Sequence, residues 1–184
     1  MLGSMTVRPI VQGDLESIGR VHSRSRQAAY AGLVPAAALE QVTPEAQVEV
    51  WRERLGLRAT TVLVADQDGV VVGFVSLLDT DDGTELNAIH VVPEVVGTGV
   101  GTALMAAAIG HARVEGKHVL HLFVIEDNER ARRFYERTGW RLVGSAGTHD
   151  VGGAQVGIVR YELALQQAFG RPSVCRQSRG GPAD

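Results

Sequence analysis

The chain has 184 residues, of which 45% are hydrophobic and 21% charged, and its formal net charge is −3. That size suits one domain, and the balance excludes a disordered or collagen-like chain. A small negative charge gives no field that would draw in nucleic acid or anionic lipid, and a single cysteine, Cys175, excludes a disulfide framework or a cysteine-rich zinc site.

No stretch approaches the roughly 18 apolar residues that span a bilayer, and the first residues lack the pattern of a signal peptide, so a cytoplasmic protein is expected. Met1 to Ser4, ahead of Met5, reads as a cloning remnant. Thr6 to Ile10 predicts a strand, and Asp14 opens a helical pattern through Leu15, Ile18 and Val21. Pro35 and Pro44 mark further helix starts, and Val48, Trp51 and Leu55 continue a helical stripe until Gly56. From Thr61 the period changes. Thr61 to Ala65 and Val70 to Leu78 are β-branched runs joined at Gln67-Asp68-Gly69, a hairpin signal. Glu85 to Val92 is another strand, closed by Pro93.

Thr102 to Glu115 is alanine-rich and helical, Val119 to Ile125 reads as a buried strand, and Asn128 to Thr138 as a short helix ended by Gly139. Trp140 to Ser145 and Gln155 to Leu163 are two last strands around Gly152-Gly153, and residues 166 to 184 have the composition of a mobile tail. The order predicts an α+β domain over residues 5 to 165, a mixed, mostly antiparallel sheet with helices on both faces and one parallel crossover.

The strongest local signal is Gly97-Thr98-Gly99-Val100-Gly101-Thr102, between a strand end and a helix. Alternate glycines present backbone amides, and a helix start adds unpaired N–H groups, so a phosphate or diphosphate suits the place. The loop is not a P-loop, which ends in Gly-Lys-Ser/Thr, nor the Rossmann fingerprint, because Thr102 stands at its third glycine. No lysine or arginine lies between Thr80 and Ala112, so added positive charge comes from elsewhere, with Arg130, Arg132 and Arg133 as candidates.

Glu85-Leu86-Asn87-Ala88-Ile89-His90-Val91, the Gly97 to Leu104 segment, and then Asn128, Ala131, Phe134-Tyr135 and Gly139-Trp140 together resemble the GNAT superfamily of acyl-CoA-dependent N-acyltransferases. The resemblance implies a sheet of about seven strands with about four helices, a splayed fourth and fifth strand, and acetyl-CoA as cosubstrate without a metal. Val96 departs from the polar residue that relatives often carry there, and Phe123 stands where members acting on ribosomal protein N-termini carry a glutamate. Independently, Leu86 and Ala88 are apolar on one phase of the fourth strand and Ile89 and Val91 on the other, as a β-bulge would produce. Across such a bulge Glu85, Asn87 and His90 share a face.

Acyl transfer needs a neutral amine, an N–H donor for the oxyanion and a proton for the leaving thiolate. Glu85 is the first candidate base and His90 the second. The resemblance assigns the oxyanion donor to the backbone near Ile89, His90 and Val91, the cosubstrate's diphosphate to Gly97, Thr98, Gly99, Val100, Gly101 and Thr102, a pantetheine contact to Asn128, and the thiolate's donor to Tyr135. It places the acceptor, an amine-bearing small molecule or peptide, among His22, Arg24, Arg26, Tyr30, Trp51, Arg54 and His149. The arginines there could grip a carboxylate or phosphate of a small substrate, whereas acidic Asp79, Asp81 and Asp82 could instead attract a cationic amine. His111, His118 and His121 lack metal-ligand spacing with carboxylates. Relatives are often homodimers. A CoA-binding module without turnover is the alternative, and a dinucleotide-dependent oxidoreductase a third reading.

Overall fold

The computed structural model describes residues 4–56 and 59–165; the expected N-terminal remnant, apart from Ser4, and the expected tail lie outside them. Strands are β1 (Met5–Pro9), β2 (Thr60–Gln67), β3 (Val70–Thr80), β4 (Gly83–Val91), β5 (Val119–Ile125), β6 (Arg141–Val151) and β7 (Ala154–Ala164); helices α1 (Leu15–Tyr30), α2 (Ala36–Glu40) and α3 (Pro44–Leu55) come between β1 and β2, α4 (Val100–Val114) between β4 and β5, and α5 (Glu129–Arg137) between β5 and β6. The sheet runs β1-β2-β3-β4-β5-β7-β6. Every neighbouring pair is antiparallel except β4 and β5. The mixed sheet and its single parallel crossover are thus as expected, and the described residues form five α-helices, in line with the expected number of about four.

Local chemistry accounts for the element ends. Asp68 (φ 52°) and Gly69 (φ 84°) form the two-residue turn between β2 and β3, the left-handed pair that matches strand twist. Thr43 caps α3 by accepting from the Ala46 amide at 3.2 Å, with Pro44 in the first turn. Asp14 precedes α1 but does not cap it. Its carboxylate is taken by Arg8 (2.7 and 3.0 Å) and by the Val11 amide (2.8 Å), and that guanidinium holds it below the usual carboxylate range.

The core has a cluster on each face of the sheet. On one, α4 and α5 bury Leu104, Met105, Ala108 and Tyr135 against Val75, Leu77, Leu86, Leu122 and Tyr161. On the other, Ile18, Val21 and Trp51 of α1 and α3 pack on Val62, Val64, Phe74 and Ala88. Leu86 and Ala88, two apart in β4, therefore face opposite sides. The register explains it: Ser76 pairs with Ala88 and Leu77 with Leu86, leaving Asn87 as the extra residue of a bulge. The expected bulge is present, but at Asn87 and not after Ala88.

Candidate active site

Beyond the bulge, β4 and β5 separate. Their parallel pairing consists of Thr84 with Leu120 and Glu85 with His121, and ends there, while β4 continues to Val91 and β5 to Ile125. On its other edge β4 stays paired to β3 in regular register from Ala88 to Val91. The Val92 amide donates to Val72 O at 2.9 Å. Period-two alternation from that bond turns the His90 amide toward β3 and the Ile89 and Val91 amides into the gap. Of three adjacent backbone candidates, two face the opening and one is spent in the sheet.

The glycine loop stands at the mouth of the gap. Gly97 (φ 84°) and Gly99 (φ 97°) are left-handed, a conformation that side-chain-bearing residues rarely adopt, and a Cβ built on either meets nothing within 4 Å. Conformation, not crowding, requires glycine there. Helix α4 starts at Val100, two residues earlier than expected, with Gly99 at its N-cap. The Ala103 amide donates to Gly99 O at 3.0 Å, so the amides of Val100, Gly101 and Thr102 precede the first intrahelical donor. Thr98 differs: its amide (3.2 Å) and its hydroxyl (2.7 Å) both donate to Val95 O, which ties the loop down instead of presenting Thr98 outward. The open amide cradle suits a diphosphate.

The arginines expected to assist it are mostly engaged. Arg132 donates to the Tyr161 hydroxyl (3.1 Å) and to Glu126 O (3.0 Å), and Arg133 to Glu129 (2.8 Å). Arg130 is exposed and in none of the ion pairs among the described residues. Asn128 caps α5, accepting from the Ala131 amide at 3.1 Å through Oδ1. Tyr135, in the last turn of α5, is 9% exposed and has Phe134, Trp140 and Tyr161 rings around it. Burial pushes its phenol above the ordinary tyrosine range, with a smaller contribution from Tyr30 at the end of α1. The hydroxyl is therefore a proton-bearing donor at neutral pH.

Glu85, Asn87 and His90 lie on the α1–α3 face, as the bulge requires. Asn87 Nδ2 donates to Glu85 Oε1 at 3.1 Å, and Arg54 Nη1 donates to Asn87 Oδ1 at 2.9 Å. His121 Nε2 is 3.9 Å from Glu85 Oε2. His90 Nδ1 is 3.0 Å from Ser25 Oγ, and its ring is 4.4 Å from that of His22. Burial, with the charges of Arg26 and Arg54, lowers the His90 pKa to about 3. It is neutral at pH 7 but a very weak base.

Two of the residues expected at the acceptor site are core. Trp51 is fully buried, and its indole N–H donates to His22 Nδ1 at 2.9 Å, which satisfies the indole and one ring nitrogen of His22 inside the α1–α3 cluster. Arg24 is paired with Glu94, His149 is exposed on β6, and Asp79 is held by Lys117 (2.8 Å) and Thr84 (2.6 Å). Arg26, Tyr30 and Arg54 remain near the gap. Ser25 and His121 had no signal in sequence, since a serine in a helix and a histidine in a strand acquire partners only through the fold. Among the described residues no group of three or more His, Cys, Asp or Glu side chains is placed to hold a metal ion, and no helix is long and apolar enough to cross a membrane.

A family model described as acetyltransferase (GNAT) family matches residues 29–140, more than half of the chain. The chain belongs to the GNAT acetyltransferase family. An uncharacterized N-acetyltransferase of Mycobacterium bovis (strain ATCC BAA-935 / AF2122/97) is 36% identical over 85 residues, covering 46% of this chain and 54% of that protein. The L-amino acid N-acyltransferase MnaT of Escherichia coli (strain K12) is 28% identical over 142 residues, covering 74% and 79%. In several of these relatives the chain spans only about half of their length. The PaiA N-acetyltransferase of Thermoplasma acidophilum, solved in complex with coenzyme A, superposes with a TM-score of 0.68 at 23% identity, over 85% of this chain and 98% of that one. The likeness establishes a shared GNAT fold.

Proposed function

We propose that this GNAT domain transfers an acetyl group from acetyl-CoA to a primary amine by direct attack within a ternary complex. The observation that carries the reading is the β4–β5 gap. It ends pairing after Glu85, exposes the Ile89 and Val91 amides along one wall, and has the open amides at the start of α4 at its mouth. The amides of Gly97, Gly99, Val100, Gly101 and Thr102 would hold the diphosphate, with Thr98 anchoring the loop. The thioester supplies an activated carbonyl, and an amide at Ile89 or Val91 would receive the developing oxyanion. The Asn128 amide group, already the cap of α5, would contact the pantetheine with its remaining polar atoms.

The amine attacks in its neutral form. At pH 7 this costs a lysine-like amine of pKa about 10.4 roughly 4–5 kcal/mol, and an α-amino group of pKa about 8 only about 1.4 kcal/mol. A base therefore matters most for the first kind. Glu85 is the stronger candidate, acting directly or through water, because a histidine with a pKa of about 3 has little pull on an ammonium proton. Tyr135 would donate a hydrogen bond to the departing sulfur. A phenol ordinarily near pKa 10 and raised further by burial gives up its proton reluctantly to a thiolate near 8.5, so stabilisation by the hydrogen bond is the better description than full transfer.

Release of free thiol from acetyl-CoA, measured across amino acids, peptides, polyamines and aminoglycosides, tests the reading. Turnover with at least one amine class, without an initial burst, is expected. Tight CoA binding with no thiol release across the panel would replace the enzyme with a CoA-binding module.

A further inference from the structure

Two guanidinium groups stand on the α1–α3 face of β4 with no carboxylate bonded to either among the described residues. Arg26, in the last turns of α1, has its Cζ 5.2 Å from the centre of the Tyr30 ring, and its Nε is buried without a hydrogen-bond partner among the described residues. Arg54, near the end of α3, lies 5.1 Å over Trp51 and uses Nη1 on Asn87. Neither belongs to an ion pair among the described residues, whereas Arg8, Arg24, Arg52, Arg133 and Arg160 all do.

Contacts place the two cations around one cluster of rings: Arg54 stacks on Trp51, Trp51 bonds His22, the His22 ring lies 4.4 Å from that of His90, and His90 meets Ser25, the residue before Arg26. In keeping with this, burial and then the charge of Arg26 lower the Arg54 pKa, which the charge of Glu85 partly offsets. Like charges kept together in a half-buried place are unfavourable until an anion comes between them. A planar guanidinium matches a carboxylate better than any other side chain does, through paired N–H bonds. Along β4 the charges are ordered: Glu85 carries the negative end, Asn87 links it to Arg54, and the arginine pair carries the positive end.

We infer that the acceptor is a small amine bearing a carboxylate, its nitrogen directed toward Glu85 and the thioester and its carboxylate held between Arg26 and Arg54. The inference rests on the acyl-transfer reading for the identity of the site but not for its charge. A polyamine would meet two cations there and is disfavoured.

The test is a calorimetric titration of the CoA-loaded protein with N-acetyl-L-alanine, N-acetyl-L-methionine and N-acetyl-L-glutamate, each compared with its primary α-amide. Thiol release from acetyl-CoA is followed in parallel with the free amino acids, their amides and spermidine. At least one acid is expected to bind about tenfold or more tightly than its amide, the scale of one lost charge-assisted pair. Arg26→Gln and Arg54→Gln should each shrink that preference toward unity, with folding verified by thermal melts. The acid–amide comparison in the unaltered protein stands even if a variant fails to fold. Equal binding of acids and amides, no binding of any acid, or faster thiol release with spermidine would overturn the inference while leaving acetyl transfer intact. Carboxylate preference in binding with no thiol release from any amine would retain the anion site and remove the transferase.

Discussion

Tyr135 and Glu85 carry the chemistry proposed here, and their surroundings differ in kind. Tyr135 is enclosed by the rings of Phe134, Trp140 and Tyr161, and burial keeps its proton on. Glu85 is tied to a polar chain through Asn87 to Arg54. Tyr135→Phe keeps the ring packing and removes only the donor, so turnover should fall about tenfold or more with CoA affinity little changed, the scale of one lost hydrogen bond to a charged group. Steady-state kinetics beside CoA titration checks this; unchanged turnover would remove the phenol from the mechanism. Glu85, Tyr135 and Asn128 were singled out in the sequence by the resemblance, and the structure places them on β4, in α5 and at the cap of α5. The Thr98 and His90 amides were not legible there, since the direction of a backbone N–H depends on register and turn bonds. Nor was the burial of His22 and Trp51, which are bonded to each other across 29 positions of chain.

At the level of elements, the site depends on how α1 sits on α3, because these helices supply Arg26 and Arg54. Their contact is close: a Cβ built on Gly19 falls 2.8 Å from Pro44 O and also collides with the Val48 side chain. Gly19→Ala should therefore destabilise the fold by about 1–3 kcal/mol, although alanine is the better helix former, because the helices must move apart. Denaturant melts measure it, and a gain in stability would contradict the packing. The strands were read largely from β-branched runs and turns, and Val119 to Ile125 falls as expected. The bulge was visible as a phase slip in β4, yet its place at Asn87 was not. Asn87 is polar and gives no apolar phase to mark the step, and only pairing with Ser76 and Leu77 locates it. Helix α4 begins before the alanine-rich run because Gly99, in a left-handed conformation, ends the loop there.

Across the whole molecule, the sheet separates two sets of groups. The α4–α5 face contributes the amide cradle and Tyr135, the α1–α3 face contributes Glu85, His90 and the arginines, and the gap between β4 and β5 is where they meet. The mixed topology was evident from element order, while the faces on which individual charges lie emerged only with the packing of α1 and α3. The proposed division of labour has the cosubstrate entering along one face and the acceptor along the other, so seating of the diphosphate in the glycine loop is the step on which the remainder depends. The most direct measurement is calorimetric titration of coenzyme A into the unaltered protein and into Gly99→Glu, which adds charge and bulk at a left-handed position with open space around it. One binding site per chain is expected in the first protein and loss of binding in the second, with thermal melts confirming that both are folded. No heat with the unaltered protein, or equal affinity in a folded variant, would contradict the assignment.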